Sequence, residues 1–109
     1  FNSRSVGICY DTGHAHQRGH DLADDIRQMG RYLVATHIAD NKGKEDEHLL
    51  PFYGTIDWDA VIKALHEIKY TGDLTYECVF FNQHLPLELK RQAIRQARIV
   101  GEYLLSRAP

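Results

Sequence analysis

Cysteine, proline, methionine and tryptophan are scarce in this 109-residue chain, at two, three, one and one copies. Neither sign of charge dominates: 13 Lys and Arg against 15 Asp and Glu leave a formal net charge of −2. No stretch approaches the ~20 consecutive apolar residues of a membrane-spanning helix. The charge balance is that of neither a basic nucleic-acid module nor an acidic disordered tail. Membrane, fibre and basic-tail readings therefore fall away. Cys9 and Cys78 both lie in apolar runs, where a small buried side chain is expected rather than a disulfide scaffold or a zinc motif; a reducing, cytoplasmic compartment follows. A Gly-rich phosphate cradle, a nucleophile elbow and a Cys-x-x-Cys pair are all missing, which weakens nucleotide, serine-hydrolase and redox readings. The chain opens on Phe1 with no signal-like leader, so its true N-terminus is expected upstream. What remains, 43% hydrophobic and 26% charged, is an ordinary globular composition.

Three short apolar runs alternate with three longer amphipathic ones. Ser5 to Tyr10, ended by Asp11-Thr-Gly13, is apolar at both parities and predicts a strand buried on both faces of a parallel sheet. Leu33 to Ile38 and Leu74 to Phe81 predict two more. Leu22, Ile26 and Met29 recur at helical spacing after Asp21, and Trp58, Val61, Ile62, Leu65 and Ile68 form an apolar stripe after the capping residue Asp57. Gly72 is expected as a left-handed helix stop, and Pro86 suits the first turn of a last helix reaching Leu105. The order βαβαβα implies right-handed crossovers and one parallel α/β sheet in a single domain, 1–109. Three strands leave two open edges, so a further part of a larger sheet, or a second copy, is expected to cover them.

Side chains alternate across a strand. Gly7, Cys9 and Asp11 should then share one face, as should Leu33, Ala35 and His37, and Thr75 and Glu77. In parallel β/α folds functional groups gather at the C-terminal ends of neighbouring strands, where Asp11, His37 and Glu77 should converge. Two carboxylates and an imidazole suit a divalent metal, and the donor set does not choose among Mn2+, Mg2+, Co2+, Fe2+ and Zn2+. The plainer alternative is a hydrogen-bonded core histidine with capping or surface acids. Nearby in sequence, His14, Asp46 and His48 could hold another metal or grip a polar substrate, or be solvated loop residues. His16, His20, His66 and His84 read as incidental. Lys42 and Lys44 could meet a phosphate or belong to a charged turn, and Arg91, Arg95 and Arg98 read as a solvated helix face.

Four segments together resemble a known family: Val6-Gly-Ile-Cys-Tyr-Asp11-Thr-Gly-His14, Thr36-His-Ile-Ala-Asp40-Asn, Glu47-His-Leu-Leu-Pro-Phe-Tyr-Gly54-Thr-Ile-Asp-Trp58 and Leu74-Thr-Tyr-Glu77. In this order, over roughly residues 5 to 80, they are similar to the last three βα units of the xylose isomerase-like TIM barrels. That superfamily holds sugar-phosphate isomerases and epimerases and the endonuclease IV type of abasic-site endonucleases. The resemblance implies a (β/α)8 barrel of which this chain supplies the C-terminal three units, parallel strands with outer helices. A barrel of that class needs eight strands and about 250 residues, so the chain alone should be nearly inactive.

The resemblance further implies that Asp11, His37 and Glu77 are metal ligands, with a fourth, a Glu, on an earlier strand outside this sequence. In the epimerase branch Glu77 would be a catalytic acid/base, moving a proton on the carbon next to a carbonyl through a metal-held enediolate, and His14 would contact substrate. In the endonuclease branch His14, Asp46 and His48 would bind a further Zn2+. The loop Lys44-Glu-Asp-Glu-His48-Leu-Leu-Pro51 lacks the basic residue that branch places between the paired Asp and His. A divalent-metal-dependent sugar or sugar-phosphate isomerase/epimerase is therefore the leading expectation. A zinc-dependent abasic-site endonuclease, disfavoured by the net charge, comes second, and an inactive barrel fragment serving as a binding module third. The expected partners are a small sugar substrate and either the missing N-terminal barrel half or a second copy; nucleic acid and membrane are not expected.

Overall fold

The computed structural model describes residues 4–78 and 81–107. Its elements run β1 (Ile8–Asp11), α1 (Thr12–Gln17), α2 (Leu22–Met29), a 3-10 turn (Gly30–Tyr32), β2 (Leu33–Ile38), α3 (Trp58–Glu67), β3 (Thr75–Tyr76) and α4 (Leu87–Ser106). The three strands form one parallel sheet in the order β1-β2-β3. This is the mixed α/β architecture, with helical crossovers, that the alternating pattern predicts.

Aspartates start the first three helices. The carboxylates of Asp11, Asp21 and Asp57 accept the backbone N–H of His14, Asp24 and Ala60 at 2.9, 3.0 and 3.1 Å, meeting donors that a helix N-terminus leaves open. α2 and α3 turn their apolar stripes onto one face of the sheet, where Ile26, Leu33, Ile38, Trp58, Val61, Ile62 and Leu65 join in one core. Fully burying an Ile such as Ile26 or Ile38 contributes about 1.5–3 kcal/mol. Arg27 reaches Glu67 at 2.6 Å across the rim of α2 and α3, and a two-pronged Arg107–Asp59 contact at 2.9 and 3.0 Å ties the end of α4 to the start of α3. Among the described residues no helix is long and apolar enough to cross a membrane.

Several expectations change. The sheet is covered on one face only: Tyr10, Thr36 and Ile38 are buried, whereas Cys9 is exposed and Val34 is 57% exposed. Cys9 is therefore no core thiol, because it faces the side on which no described element packs; Cys78 is buried as expected. The register skips from Ile8↔Leu33 to Cys9↔Ala35, so Val34 is an extra residue on β2, a bulge of the kind that is uncommon in parallel pairs. It moves Leu33 to the core face, away from Ala35 and His37. β1 starts later than predicted, and β3 is two residues long; Glu77 and Cys78 follow its ladder, while Val79 and Phe80 of the predicted strand lie outside the described residues.

The helix stop is Lys69 rather than Gly72. Lys69 has φ +58, and the N–H groups of Lys69 and Tyr70 bond the carbonyls of His66 and Leu65, both at 3.0 Å, in a Schellman closure. Gly72 serves a close approach instead, since a Cβ there would stand 2.3 Å from the Tyr70 hydroxyl and 2.7 Å from the Val34 carbonyl oxygen. Pro86 caps α4 from just outside its first turn. α1 has no counterpart in the predicted elements, because six residues are too few for a periodicity.

Candidate functional site

Asp11 closes β1 and stands in register with His37 of β2, and Glu77 follows β3 two residues after Thr75, the register partner of His37. One ligand-type atom from each of Asp11, His37 and Glu77 lies within 4.8 Å of the others, on the uncovered face. The Thr12 hydroxyl, itself buried, locks the strand ends together by donating to the Ala39 carbonyl at 2.8 Å and accepting the Ala39 N–H at 3.1 Å. The Asn41 amide adds a bond to the Gly13 carbonyl at 2.8 Å.

Glu77 supplies a direct test of whether these side chains suit a cation. Its Oε2 is buried and, among the described residues, makes no hydrogen bond. His37 Nδ1 stands 3.2 Å away but without hydrogen-bonding geometry. A buried polar oxygen left in this state is costly, by about 1–3 kcal/mol and more when charged. A divalent ion between two carboxylates and an imidazole relieves that cost with donors of the right type, so the residues fit a metal. Asp11 caps α1 through Oδ1, the plainer role posed for it, while its Oδ2 faces His14 Nδ1 at 3.2 Å.

The second trio is also brought together. Asp46 Oδ2 lies 3.1 Å from both His14 Nε2 and His48 Nε2, whose rings stand edge to face at 6.4 Å between centroids. His48 Nδ1 is 2.6 Å from the backbone carbonyl oxygen of Glu77, and a carbonyl only accepts, so Nδ1 carries a proton. Burial works against charge on His48, whose side chain is 12% exposed, but the Glu77 carbonyl and Asp46 outweigh it and hold the pKa above the ordinary histidine value. A continuous polar chain thus runs Asp11–His14–Asp46–His48–Glu77, joining the two trios into one site. The backbone of His48 is left-handed, φ +53, an uncommon conformation for a non-glycine residue.

Other candidates sit elsewhere. His16 pairs with Thr55 at 2.7 Å, and His20 with Asp25 at 2.9 Å. His66 and His84 are exposed, as are Lys42 and Lys44, which make no ion pair among the described residues. Arg91, Arg95 and Arg98 are exposed on α4, as expected of a solvated face. Thr12, Asp40 and Asn41, which shape the site from behind, escaped the sequence reading. Their signal was their place in the segments Asp11-Thr-Gly-His14 and Thr36-His-Ile-Ala-Asp40-Asn, one to four residues beyond candidate ligands.

The pattern of the xylose isomerase-like TIM barrel family matches residues 1–98, and the chain belongs to that family. The uncharacterized protein y4fM of Sinorhizobium fredii is 43% identical over 77 residues, which cover 71% of this chain and 25% of that protein. A probable endonuclease 4 of Acholeplasma laidlawii is 30% identical over 105 residues, covering 83% of this chain and 35% of the relative. A D-psicose 3-epimerase of Enterocloster bolteae is 31% identical over 77 residues, covering 71% and 24%. Among solved structures, a D-tagatose 3-epimerase-like protein is similar with a TM-score of 0.65 at 26% identity, over 95% of this chain and 39% of that one. A D-psicose 3-epimerase crystallised with D-fructose shares the fold with a TM-score of 0.76 at 19% identity, over 95% and 39%. The chain thus spans about a quarter to two fifths of the length of these proteins.

Proposed function

We propose that this chain is part of a divalent-metal-dependent enzyme that isomerises or epimerises a sugar or sugar phosphate by moving a proton on the carbon next to a carbonyl. The observation that carries this reading is the convergence of Asp11, His37 and Glu77 around the unbonded Glu77 Oε2. The epimerases among the relatives support it. Asp11, His37 and Glu77 would hold the ion, which when bound supplies the positive charge that polarises a carbonyl and acidifies the adjacent C–H. Glu77, whose side chain is 37% exposed, would take and return that proton. His14, 47% exposed, is held between Asp11 and Asp46 with its ring in one orientation, where it would fix a substrate hydroxyl.

The complete activity belongs to the whole protein. We propose that the uncovered face and the outer edges of β1 and β3 are closed either by further βα units of the same polypeptide or by a second copy. The reading is tested by incubating the full-length protein and Mn2+ with ketoses and ketose phosphates in deuterated water. Deuterium is expected at the carbon next to the carbonyl, and to be lost in Glu77→Gln. Absence of exchange across such a panel would sink the proposal.

A second reading has its own observation, the Asp46 carboxylate bridging His14 and His48. In a zinc-dependent endonuclease acting on abasic DNA that trio would bind a further ion and help activate water against a phosphodiester. Nicking of abasic DNA with two or more zinc ions per protein would favour it.

A further inference from the structure

Nineteen residues, 39–57, connect β2 to α3 without a helix or strand of their own, and the part beyond Asp40, 41–57, carries Asp46 and His48. A long connection holds one shape only if something inside satisfies its backbone. That something is Asp40, a carboxylate with 0% exposure and every acceptor position in use. Oδ1 accepts the N–H of Asn41 at 2.8 Å and of Ile56 at 3.1 Å; Oδ2 accepts the N–H of Phe52 at 3.1 Å and the indole N–H of Trp58 at 2.8 Å. Its main chain pairs both ways with Leu49, at 2.8 and 2.9 Å. The segment passes so near that a Cβ on Gly54 would fall 2.4 Å from both Asp40 Oδ1 and the Asn41 carbonyl oxygen.

The consequence reaches the candidate site through two neighbours, His48 and Leu49. The β3 ladder ends at Tyr76, so Glu77 depends on other restraints. Its N–H bonds the Ile38 carbonyl at 2.9 Å, its carbonyl is met by His48 Nδ1 at 2.6 Å, and the thiol of the next residue, Cys78, donates to the Leu49 carbonyl at 3.3 Å. Each restraint from the loop side comes from the residue paired to Asp40 or the one before it.

We infer that Asp40 is a positioning residue. By gathering the 41–57 segment it seats His48 and Leu49 against Glu77 and Cys78, and so sets where the Glu77 carboxylate stands and keeps Asp46 between His14 and His48. The inference rests on the reading of Asp11, His37 and Glu77 as a metal site only for its functional meaning, and the experiment separates the two.

Asp40→Asn keeps the shape but turns an amide NH2 toward N–H donors. Amide hydrogen exchange, the 15N resonances of the His48 imidazole and a titration with Mn2+ alone are compared with Ile62→Val, a core substitution away from the loop. In Asp40→Asn, protection at Leu49, Phe52 and Ile56 is expected to fall about tenfold or more while the β2 amides keep theirs. The hydrogen-bonded signature of His48 Nδ1 is expected to vanish, and Mn2+ affinity to fall. In Ile62→Val the exchange change is spread evenly and the imidazole is unaltered. Trp58→Phe, which removes one donor of four, should give a smaller loss confined to the same loop, so the idea stays testable if Asp40→Asn does not fold. An even loss in Asp40→Asn, or a His48 signature left intact, overturns the inference. Should loop and imidazole respond while even the parent protein ignores Mn2+, the positioning role stands and the metal reading falls.

Discussion

Asp11 carries two duties that substitution can pull apart. Asn is as good an N-cap as Asp, whereas Ala is not, so Asp11→Ala should lose about 1 kcal/mol of stability and Asp11→Asn only a few tenths. Both should lose most Mn2+ affinity, as calorimetry and urea melts would show. His48 gives a pH prediction of definite sign. Its folded pKa lies above the unfolded value, so its contribution is fully present below the ordinary histidine pKa and disappears as pH rises through the raised one. The parent should therefore lose more melting temperature than His48→Gln on going from slightly acid to moderately alkaline pH; equal losses would contradict this. At this scale the sequence was most legible where a residue's chemistry is strong and its place on a strand is fixed. Asp11, His37 and Glu77 stand at strand ends whose parity could be counted. Asp40 and Thr12 could not be found that way, because their partners are backbone groups that only the folded chain brings near.

Helices were legible in proportion to their length. α2, α3 and α4 each span at least two turns, and their apolar spacing and caps located them closely. α1, at six residues, carries almost no periodic signal, whereas the apolar run from Leu74 located the third strand although its ladder is only two residues long. The helix stop at Lys69 was missed because glycine is the usual occupant and Gly72 lay three residues on, although the Tyr70 ring decides what that glycine is for. A lysine in the left-handed region bears a cost that glycine does not. Lys69→Gly should therefore raise stability by about 1 kcal/mol, read as a higher urea midpoint at unchanged slope. A lower midpoint would mean that the side chain itself holds the turn.

For the molecule as a whole, the radius of gyration is 14.4 Å and the extents are 48 × 28 × 27 Å. A compact unit of this length is expected at about 13 Å. The excess agrees with a sheet bare on one side and with α4, where Leu87, Ile94 and Leu105 are exposed. Apolar side chains and unpaired strand edges left in water favour association. The chain on its own should gain mass with concentration in sedimentation and bind a hydrophobic dye; a strictly monomeric, dye-silent chain would argue that the open face is tolerated as it is. The parallel α/β order could be read from the alternation of apolar and amphipathic runs, and the family from four short segments. The bare face could not, because runs apolar at both parities look the same whether a second layer covers them or not.

The bulge at Val34 changes how insertions and deletions should be counted in this strand. Leu33 belongs to the core and His37 to the candidate site, an even number of steps apart that ordinary alternation would send to the same side. Removing one residue from the middle of a strand normally throws everything after it onto the wrong side. Here the chain already holds one residue too many, and excising Val34 would leave Leu33, Ala35, Thr36 and His37 alternating without a break, opposite Ile8 to Asp11. A one-residue deletion at Val34 is therefore expected to cost β2 less than a deletion anywhere else in the strand.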